Sequence, residues 1–270
     1  MANQSPPTAL ITGASSGLGY EFVKLFAKDH YDLVLVARNE ARLQEIAEEI
    51  KQTYGTGRVT VVASDLSRPE APDEIYQEVK RQGIEVSVLV NDAGFGEHGL
   101  FSENDLSTEL AIIQVNISAL VHLTKLYLRD MLARNEGKIL QLASTVSLMP
   151  SPLMAVYGAS KAFVLSFTEA VINEIKDSNV TMTALLPGAT DTNFFRRAGA
   201  ENTVVAQDTP LSEPADVAKD GYEALMKGES RVVSGVLNKI QAAASNVLPD
   251  GVIASGMRKL MEEKEDKSGQ

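Results

Sequence analysis

The chain has 270 residues, of which 44% are hydrophobic, and it carries a formal net charge of −11. This length and apolar content predict one compact catalytic domain with a large buried sheet. The acidic balance argues against a nucleic-acid partner and against binding to an anionic membrane surface. Because the sequence has no cysteines, disulfides, thiol catalysis and cysteine metal sites are excluded.

Neither metal binding nor targeting is indicated. His30, His98 and His122 are scattered without the spacing of a metal site, so we expect no metal. The opening MANQSPPT lacks the basic and apolar regions of a signal peptide. No apolar run reaches the roughly 18 residues that suggest a membrane span. We therefore expect a cytoplasmic protein.

Strand-like apolar runs alternate with helical patterns along the chain, as is typical of a parallel sheet. We predict strands near residues 8–12, 32–37, 58–63, 86–90, 138–143, 180–186 and 231–234. Helices are predicted at about 17–28, 39–53, 71–82, 104–133, 155–177 and 214–226. The runs LVLVA and VSVLV are continuously apolar, as expected when helices cover both faces of a strand. The pattern predicts a single-domain α/β fold, a doubly wound parallel β-sheet (Rossmann fold) flanked by helices on both faces.

The first strand runs directly into a glycine-rich turn, Gly13 to Gly19, and a helical pattern follows. Glycines permit positive φ and close approach of the backbone to a pyrophosphate, and a helix N-terminus favours negative charge. Strand, glycine turn and helix in this order predict a dinucleotide site. The glycines are spaced G-x-x-x-G-x-G, with Thr12 in front, rather than G-x-G-x-x-G.

Tyr157 and Lys161 lie one helical turn apart in YGASK, and Ser144 ends a strand-like run upstream. A phenol has an unperturbed pKa of about 10, and a nearby cation favours the phenolate. Tyr157 beside Lys161 can therefore exchange a proton with a substrate oxygen, which the Ser144 hydroxyl can also hydrogen-bond. These three side chains suggest carbonyl–alcohol chemistry. Tyrosine and lysine at this spacing also occur by chance on solvated helices.

Further motifs follow in order: Asp65-Leu66, Asn91-Asp92-Ala93-Gly94, Asn116 and the loop from Pro187 to Thr192. With the glycine turn and YGASK, they resemble the short-chain dehydrogenase/reductase family over about residues 8–192. Within that family the chain looks closest to the branch of uncharacterised, broad-range NADP-dependent reductases. It departs from the family at Asp92, where a second asparagine is usual.

The resemblance implies a catalytic set of Asn116, Ser144, Tyr157 and Lys161. Tyr157 would donate its proton to the substrate oxygen during reduction, and Ser144 would polarise the carbonyl. Lys161 would lower the pKa of Tyr157 and hydrogen-bond the nicotinamide ribose. The main-chain carbonyl of Asn116 would hold a water that connects Lys161 to solvent, provided that its helix is locally kinked.

The resemblance also implies the residues that surround the cofactor. They are Gly13, Ser15, Ser16, Gly17, Leu18, Gly19, Arg38, Asn39, Asp65, Leu66, Asn91, Ala93, Gly94, Tyr157, Lys161, Pro187, Gly188, Thr190 and Thr192.

The end of the second strand indicates NADP(H) as the cofactor. Enzymes that prefer NAD usually place an acidic residue there, whereas this chain has Ala37 followed by Arg38. An arginine can bind the 2′-phosphate, with Ser15 and Asn39 as hydrogen-bonding helpers. The alternative is that Arg38 and Arg42 are solvated charges. Ser16 stands where many NADP-dependent members carry a basic residue.

Candidate walls of the substrate site are Phe95-Gly96, residues 148–154 and residues 193–208. Their phenylalanines and methionines favour an apolar site, although such residues also fill ordinary cores. Residues 193–208 lack clear periodicity and are interpreted as a substrate-covering lid. Residues 1–235 would form the dehydrogenase domain, and residues 236–270 a C-terminal extension of two short amphipathic helices with a flexible tail.

The sequence thus predicts an NADP(H)-dependent oxidoreductase that interconverts a ketone or aldehyde and an alcohol. The substrate would be a small, apolar molecule, and no nucleic-acid or membrane partner is expected. By resemblance, the protein would be a homodimer or homotetramer through the helices at 104–133 and 155–177. The alternative is a catalytically idle NADP(H)-binding redox sensor or scaffold, which the intact Ser144, Tyr157 and Lys161 disfavour.

Overall fold

One parallel sheet of seven strands organises the protein, in the order β3-β2-β1-β4-β5-β6-β7. The structure is a computed structural model that describes residues 6–245 and 249–264. The strands are β1 Thr8–Thr12, β2 Asp32–Ala37, β3 Val59–Ala63, β4 Val86–Asn91, β5 Gly137–Leu142, β6 Val180–Leu186 and β7 Arg231–Val233. All neighbouring strands run parallel. The predicted doubly wound α/β fold is confirmed.

Helices follow the strands and cover both faces of the sheet. They are α1 Gly17–Lys28, α2 Glu40–Tyr54, α3 Ala71–Arg81, α4 Leu106–Ile113, α5 Leu120–Arg134, α6 Ala155–Glu174, α7 Phe194–Arg197, α8 Val204–Asp208, α9 Pro214–Lys227, α10 Val236–Ser245 and α11 Asp250–Met261. A π-helical segment, Gln114–Ala119, joins α4 to α5, and a 3-10 turn, Thr145–Leu148, follows β5.

The core divides into two apolar layers because successive side chains of a strand point to opposite faces. In β1, Ile11 packs with Phe22 and Phe26 of α1 on one face. Leu10, its neighbour, packs with Tyr127 of α5 on the other face. Every residue of β1 is buried. This double burial explains why the central strands are continuously apolar.

The single long helix predicted at 104–133 is divided in the structure. A π-helical turn at Gln114–Ala119 interrupts it, with α4 before and α5 after. A π turn adds one residue to the hydrogen-bonded ring, which hydrophobic periodicity does not reveal. The other predicted helices and strands are present, with bounds that differ by three residues or fewer.

Two helical stretches, Leu106–Arg134 and Ala155–Glu174, are long and apolar enough to cross a membrane by length and composition alone. In this fold α5 packs on β4 and β5, and α6 packs on β5 and β6. Their apolar side chains therefore include the residues that cover one face of the sheet.

The C-terminal extension forms two helices, as predicted, and α11 packs against α8. Met257 and Met261 of α11 are buried in a cluster with Phe195 and Val205. The backbone N–H of Val204 donates to the carbonyl of Glu262 at 3.1 Å. The end of the predicted flexible tail, residues 265–270, lies outside the described residues.

Candidate active site

A cleft of about 600 Å³ opens beyond the carboxyl ends of the central strands. Ligands of doubly wound sheets bind at this edge. Thirteen of the predicted site residues line the cleft: Gly13, Ser16, Gly17, Leu18, Ala93, Gly94, Ser144, Tyr157, Lys161, Pro187, Gly188, Thr190 and Thr192. The predicted glycine turn, the tyrosine–lysine pair and the proline loop therefore meet in one cavity.

The glycine turn has the backbone that a pyrophosphate site needs. Gly13 has φ +71° and Gly17 has φ +55°, values that L side chains rarely adopt. A Cβ on Gly19 would collide with the carbonyl of Gly13. Ser16 is the N-cap of α1 but makes no side-chain capping bond, so its side chain satisfies none of the N–H groups at this helix start. The turn can thus hold a phosphate group.

Thr12 fastens this turn to the end of β4. Its hydroxyl accepts hydrogen bonds from the backbone N–H groups of Asp92, at 3.0 Å, and Ala93, at 3.1 Å. It donates to the carbonyl of Val90 at 3.3 Å. The two cofactor-facing motifs are therefore held together by one buried hydroxyl.

Asn91 lies in the sheet rather than in the cleft wall. Its side-chain amide donates to Thr124 Oγ1 and to Gln141 Oε1, both at 3.0 Å. Gln141 also donates to Thr124 at 2.8 Å. This network holds β4, β5 and α5 together, so the structure places the predicted cofactor contact in a supporting position.

Tyr157, near the start of α6, lines the cleft beside Ser144. Burial raises the pKa of Tyr157 to about 12, and the hydrogen-bonding influence of Ser144 lowers it only in part. The net direction is opposite to the lowering by Lys161 that we expected. Burial raises the pKa because an ionised phenol loses hydration inside the cleft wall. Tyr157 is therefore a protonated acid at neutral pH.

Lys161 is buried and points toward the end of β5. Its Nζ donates to the carbonyl of Leu142 at 2.7 Å and lies 5.8 Å from the ring centroid of Tyr157. Burial lowers the pKa of Lys161 to about 8, and the negative charge of Asp92 opposes that shift. The ammonium form is thus only moderately favoured at neutral pH.

Ser144 begins the 3-10 turn after β5. Its hydroxyl donates to the carbonyl of Pro187 and accepts from the backbone N–H of Val146, both at 3.3 Å. The Ser147 hydroxyl accepts from the backbone N–H of Ser144, which completes a capping box. Ser147 also donates to the carbonyl of Lys161 at 2.9 Å. The local capping thus orients Ser144 and joins its turn to α6.

Asn116 sits inside the π-helical segment, so its helix is locally irregular, as its predicted role requires. Its side chain, however, is fully engaged in supporting contacts. Asn116 accepts from the backbone N–H of Phe95 at 3.1 Å and donates to the carbonyl of Phe95 and the hydroxyl of Ser160, both at 3.0 Å. It therefore ties the loop after β4 to α6 and does not line the cleft. Its water-holding main-chain role stays a prediction.

The residues predicted to favour NADP(H) over NAD(H) lie outside the cleft. Arg38 is exposed at the end of β2. A hydrogen bond from the backbone N–H of Ser67 lowers the pKa of Asp65, with a smaller contribution from the Arg38 charge. Asn39 caps α2 by accepting from the backbone N–H of Arg42 at 3.1 Å, so its Oδ1 already has a partner. Ser15, Gly19, Arg38, Asn39, Asp65 and Leu66 do not line the 600 Å³ cleft.

The outer part of the cleft is apolar. The expected walls Met149, Met154, Phe194 and Phe195 line it. Val205 of α8, inside the predicted wall 193–208, lines it as well. Sequence reasoning missed a second group, from α10, α11 and the loop before α9: Leu211, Val236, Leu237, Met257, Leu260 and Met261. The helical apolar spacing of 236–261 was a signal for burial but could not show what these helices cover. The predicted lid at 193–208 contains two short helices, α7 and α8.

The match to known proteins agrees with this geometry. A family model described as short chain dehydrogenase matches residues 7–203. The chain belongs to the short-chain dehydrogenase family. The resemblance inferred from the glycine turn and YGASK is thereby confirmed.

Relatives of this short-chain dehydrogenase include steroid enzymes. The chain is 33% identical over 235 residues to 17-beta-hydroxysteroid dehydrogenase type 3 of Rattus norvegicus, covering 86% of this chain and 76% of the relative. It is 30% identical over 233 residues to 7beta-hydroxysteroid dehydrogenase of Mediterraneibacter gnavus, covering 85% and 86%. Among solved structures, a short-chain dehydrogenase from Sphingobium yanoikuyae in complex with NADPH has a TM-score of 0.79 at 27% identity, covering 90% of this chain and 96% of that one.

Proposed function

We propose that this protein is an NADPH-dependent reductase of bulky, apolar ketones, with Tyr157 as its general acid. One observation carries the proposal: Ser144, Tyr157 and Lys161 line the same cleft as the glycine turn and a chamber of methionine and phenylalanine side chains. A cofactor at the turn and a ketone in the chamber would meet at the tyrosine hydroxyl.

The residues present fit the nicotinamide cofactor. Positive φ at Gly13 and Gly17 lets the backbone approach a pyrophosphate. Arg38, exposed beyond β2, supplies a cation for a 2′-phosphate. The Sphingobium yanoikuyae relative binds NADPH. When bound, NADPH supplies the hydride that reduces the carbonyl carbon.

Side chains of the protein then donate the proton and orient the ketone. Tyr157 keeps its proton at neutral pH because burial raises its pKa to about 12. It can therefore give that proton to the oxygen on which negative charge develops. The Ser144 hydroxyl, turned away from the carbonyl of Pro187 that it contacts at 3.3 Å, would donate a second hydrogen bond to the same oxygen. The Lys161 ammonium stabilises the phenolate that remains on Tyr157.

The chamber suits a large apolar substrate. Its walls include the side chains of Met149, Met154, Phe194 and Phe195, and pockets lined mainly by apolar and aromatic side chains bind apolar ligands. The relatives named above act, by their names, on hydroxysteroids. Fused-ring ketones with few polar groups are therefore the first class to test.

We also propose a homo-oligomer built on α4 and α6. These helices contact each other, and large apolar side chains on them face outward: Leu106, Leu110, Ile113 and Phe163. Exposed apolar patches of this kind mark protein interfaces. Cytoplasmic location stays a prediction.

The reaction is tested by following NADPH absorbance with a panel of fused-ring, aromatic and short aliphatic ketones. We expect turnover that is fastest with the bulky members. Tyr157→Phe should lose about 10²–10⁴-fold in kcat while still binding NADPH. Tyr54→Phe, at the end of α2, is the matched control and should behave as wild type. Tight NADPH binding without reduction of any ketone would instead favour the redox sensor or scaffold.

A further inference from the structure

His98 lies in the loop after β4 and contacts both segments that cover the substrate chamber. Its backbone N–H donates to the carbonyl of Ala198, just after α7, at 2.8 Å. Its ring nitrogen Nε2 lies 2.6 Å from the carbonyl oxygen of Met261, the last residue of α11. Because a carbonyl can only accept, Nε2 carries the proton of this hydrogen bond. One residue thus joins the loop after β4 to the lid and to the C-terminal helix.

The loop that carries His98 is fixed beside the proposed acid. Gly99 donates its backbone N–H to the carbonyl of Leu153, which precedes α6, at 2.9 Å. Gly96 packs so closely that an added Cβ would come within 3.1 Å of the Tyr157 ring. The position of His98 is therefore set by the same elements that place Tyr157.

The wall that His98 holds is the end of α11. Met257, Leu260 and Met261 line the cleft. The two methionines are buried, and they pack in one cluster with Phe195 of the predicted lid. Methionine side chains are flexible and adapt to irregular gaps, so they do not by themselves fix where a helix lies. The position of this wall therefore depends on the hydrogen bonds at its end.

The remaining hydrogen bonds that leave this end lead to residues 202–208, within the predicted lid. They run from the N–H of Val204 to the carbonyl of Glu262 at 3.1 Å, from the N–H of Lys264 to the carbonyl of Asn202 at 2.9 Å, and from Lys264 Nζ to Asp208 at 2.7 Å. They let the lid and α11 move together. Among the described residues, the bond from His98 is the hydrogen bond that ties α11 to the loop after β4.

We propose that His98 is a positioning residue that sets which ketones fit, because its imidazole holds the wall of α11 at a fixed distance from Tyr157. The proposal rests on the proposed function for its substrate. With the hydrogen bond in place, a bulky ketone meets a preformed wall. Without it, the ketone must order α11 and the lid on binding, which weakens its affinity. A small ketone that fills only the space beside Tyr157 gains nothing from the wall.

The first test is hydrogen–deuterium exchange of residues 250–264, measured by mass spectrometry on the full chain. His98→Leu keeps the bulk of the side chain but has no donor. Losing this hydrogen bond should speed exchange of the segment about two- to tenfold. His98→Gln, whose amide can donate to the same carbonyl, should exchange like wild type. His122→Leu is the matched control, because His122 pairs with Asp73 at 3.2 Å outside the cleft.

The second test compares the kinetics of one bulky and one small ketone in the same variants. His98→Leu should raise the KM of the bulky ketone about two- to tenfold. Its kcat, the KM of the small ketone and the Kd of NADPH should not change. His98→Gln should restore the KM of the bulky ketone. A merely structural role would impair both ketones alike.

The proposal would be overturned by unchanged exchange in His98→Leu, or by equally fast exchange in His98→Gln. It would also be overturned if the KM of the bulky ketone stayed the same, or rose no more than that of the small one. The exchange measurement needs no turnover. If wild type reduced no ketone, the proposed function would fail, while exchange would still decide whether His98 holds α11.

Discussion

The ring of Phe194 lies 4.9 Å from the ring of Tyr157, centroid to centroid, with an angle of 48° between the ring planes. Phe194 opens α7, in the segment that the sequence predicts as a lid, and it lines the cleft. Phe195 packs edge-on against it, with the centroids 5.7 Å apart. The proposed acid is therefore bounded on one side by an aromatic wall that a bulky ketone would also contact.

Phe194→Ala should weaken the binding of bulky ketones more than that of small ones. An aromatic contact of this kind contributes about 0.5–1.5 kcal/mol beyond area burial, which corresponds to a rise in KM of about two- to tenfold. Steady-state kinetics with matched large and small ketones would measure it. Phe101→Ala, at a side chain that is 64% exposed and does not line the cleft, serves as the control. An equal loss for both ketone sizes would contradict a substrate wall.

The rate of ketone reduction should fall as pH rises through about 8, the lowered pKa of Lys161. Below that pH, Lys161 is charged and can stabilise the phenolate that Tyr157 leaves behind; above it, the charge is lost. Tyr157 itself, with a pKa of about 12, stays protonated throughout this range. Measuring kcat as a function of pH would show this fall on the alkaline side.

Lys161→Arg provides the comparison for that profile. A guanidinium remains charged at all accessible pH values. Whatever activity this variant retains should therefore lack the limb near 8. A limb that persists unchanged in Lys161→Arg would assign it to another group.

Arg38→Ala should weaken NADPH much more than NADH. A charge-assisted hydrogen bond contributes about 1.5–3 kcal/mol, so the NADPH Kd should rise about 10- to 150-fold, with little change for NADH. Fluorescence titration would measure both constants. Arg42→Ala is the control, because Arg42 pairs with Glu45 at 3.0 Å. Equal losses for the two cofactors would refute the phosphate assignment.

Tyr127→Phe should raise the stability of the protein by about 1 kcal/mol. Tyr127 is only 2% exposed, and its hydroxyl has no hydrogen-bond partner among the described residues. An unsatisfied buried hydroxyl costs about 1–3 kcal/mol, which the phenylalanine avoids. Urea unfolding would measure the difference. Tyr76→Phe should instead destabilise, because the Tyr76 hydroxyl donates to Asp130 at 3.0 Å.

Leu110→Glu, on α4, should dissociate the proposed oligomer. Leu110 is 55% exposed, and a charge there would oppose burial of the apolar face in an interface. Sedimentation velocity would show the change in mass. Val252→Glu places the same charge on α11, where Val252 is 58% exposed, and should leave the assembly intact. A monomeric wild type would refute this interface.

The elements that could be predicted from the sequence are those that depend on patterns of neighbouring residues. The apolar run of β1, the glycine spacing from Gly13 to Gly19 and the tyrosine–lysine interval are properties of neighbouring residues. They therefore predicted the strands, the dinucleotide turn and the active-site helix. The π turn at Gln114–Ala119 was not predicted, because one turn with i→i+5 hydrogen bonds leaves the spacing of the apolar residues nearly unchanged.

Long-range placement could not be predicted in the same way. Asn91 matches a cofactor motif, yet its partners Thr124 and Gln141 come from elements remote along the chain. The apolar helices α10 and α11 were predicted, but the cleft that they help to wall depends on where the chain returns after β7.

The amino-acid sequence by itself determined the sheet, the family and the presence of a tyrosine, a serine and a lysine suited to carbonyl chemistry. The tertiary structure decided their ionisation and their partners. Burial raises the pKa of Tyr157 and lowers that of Lys161. Desolvation depends on the depth of burial, and Coulomb interactions depend on the distance between charges. Neither the depth nor the distance can be obtained from the amino-acid sequence alone.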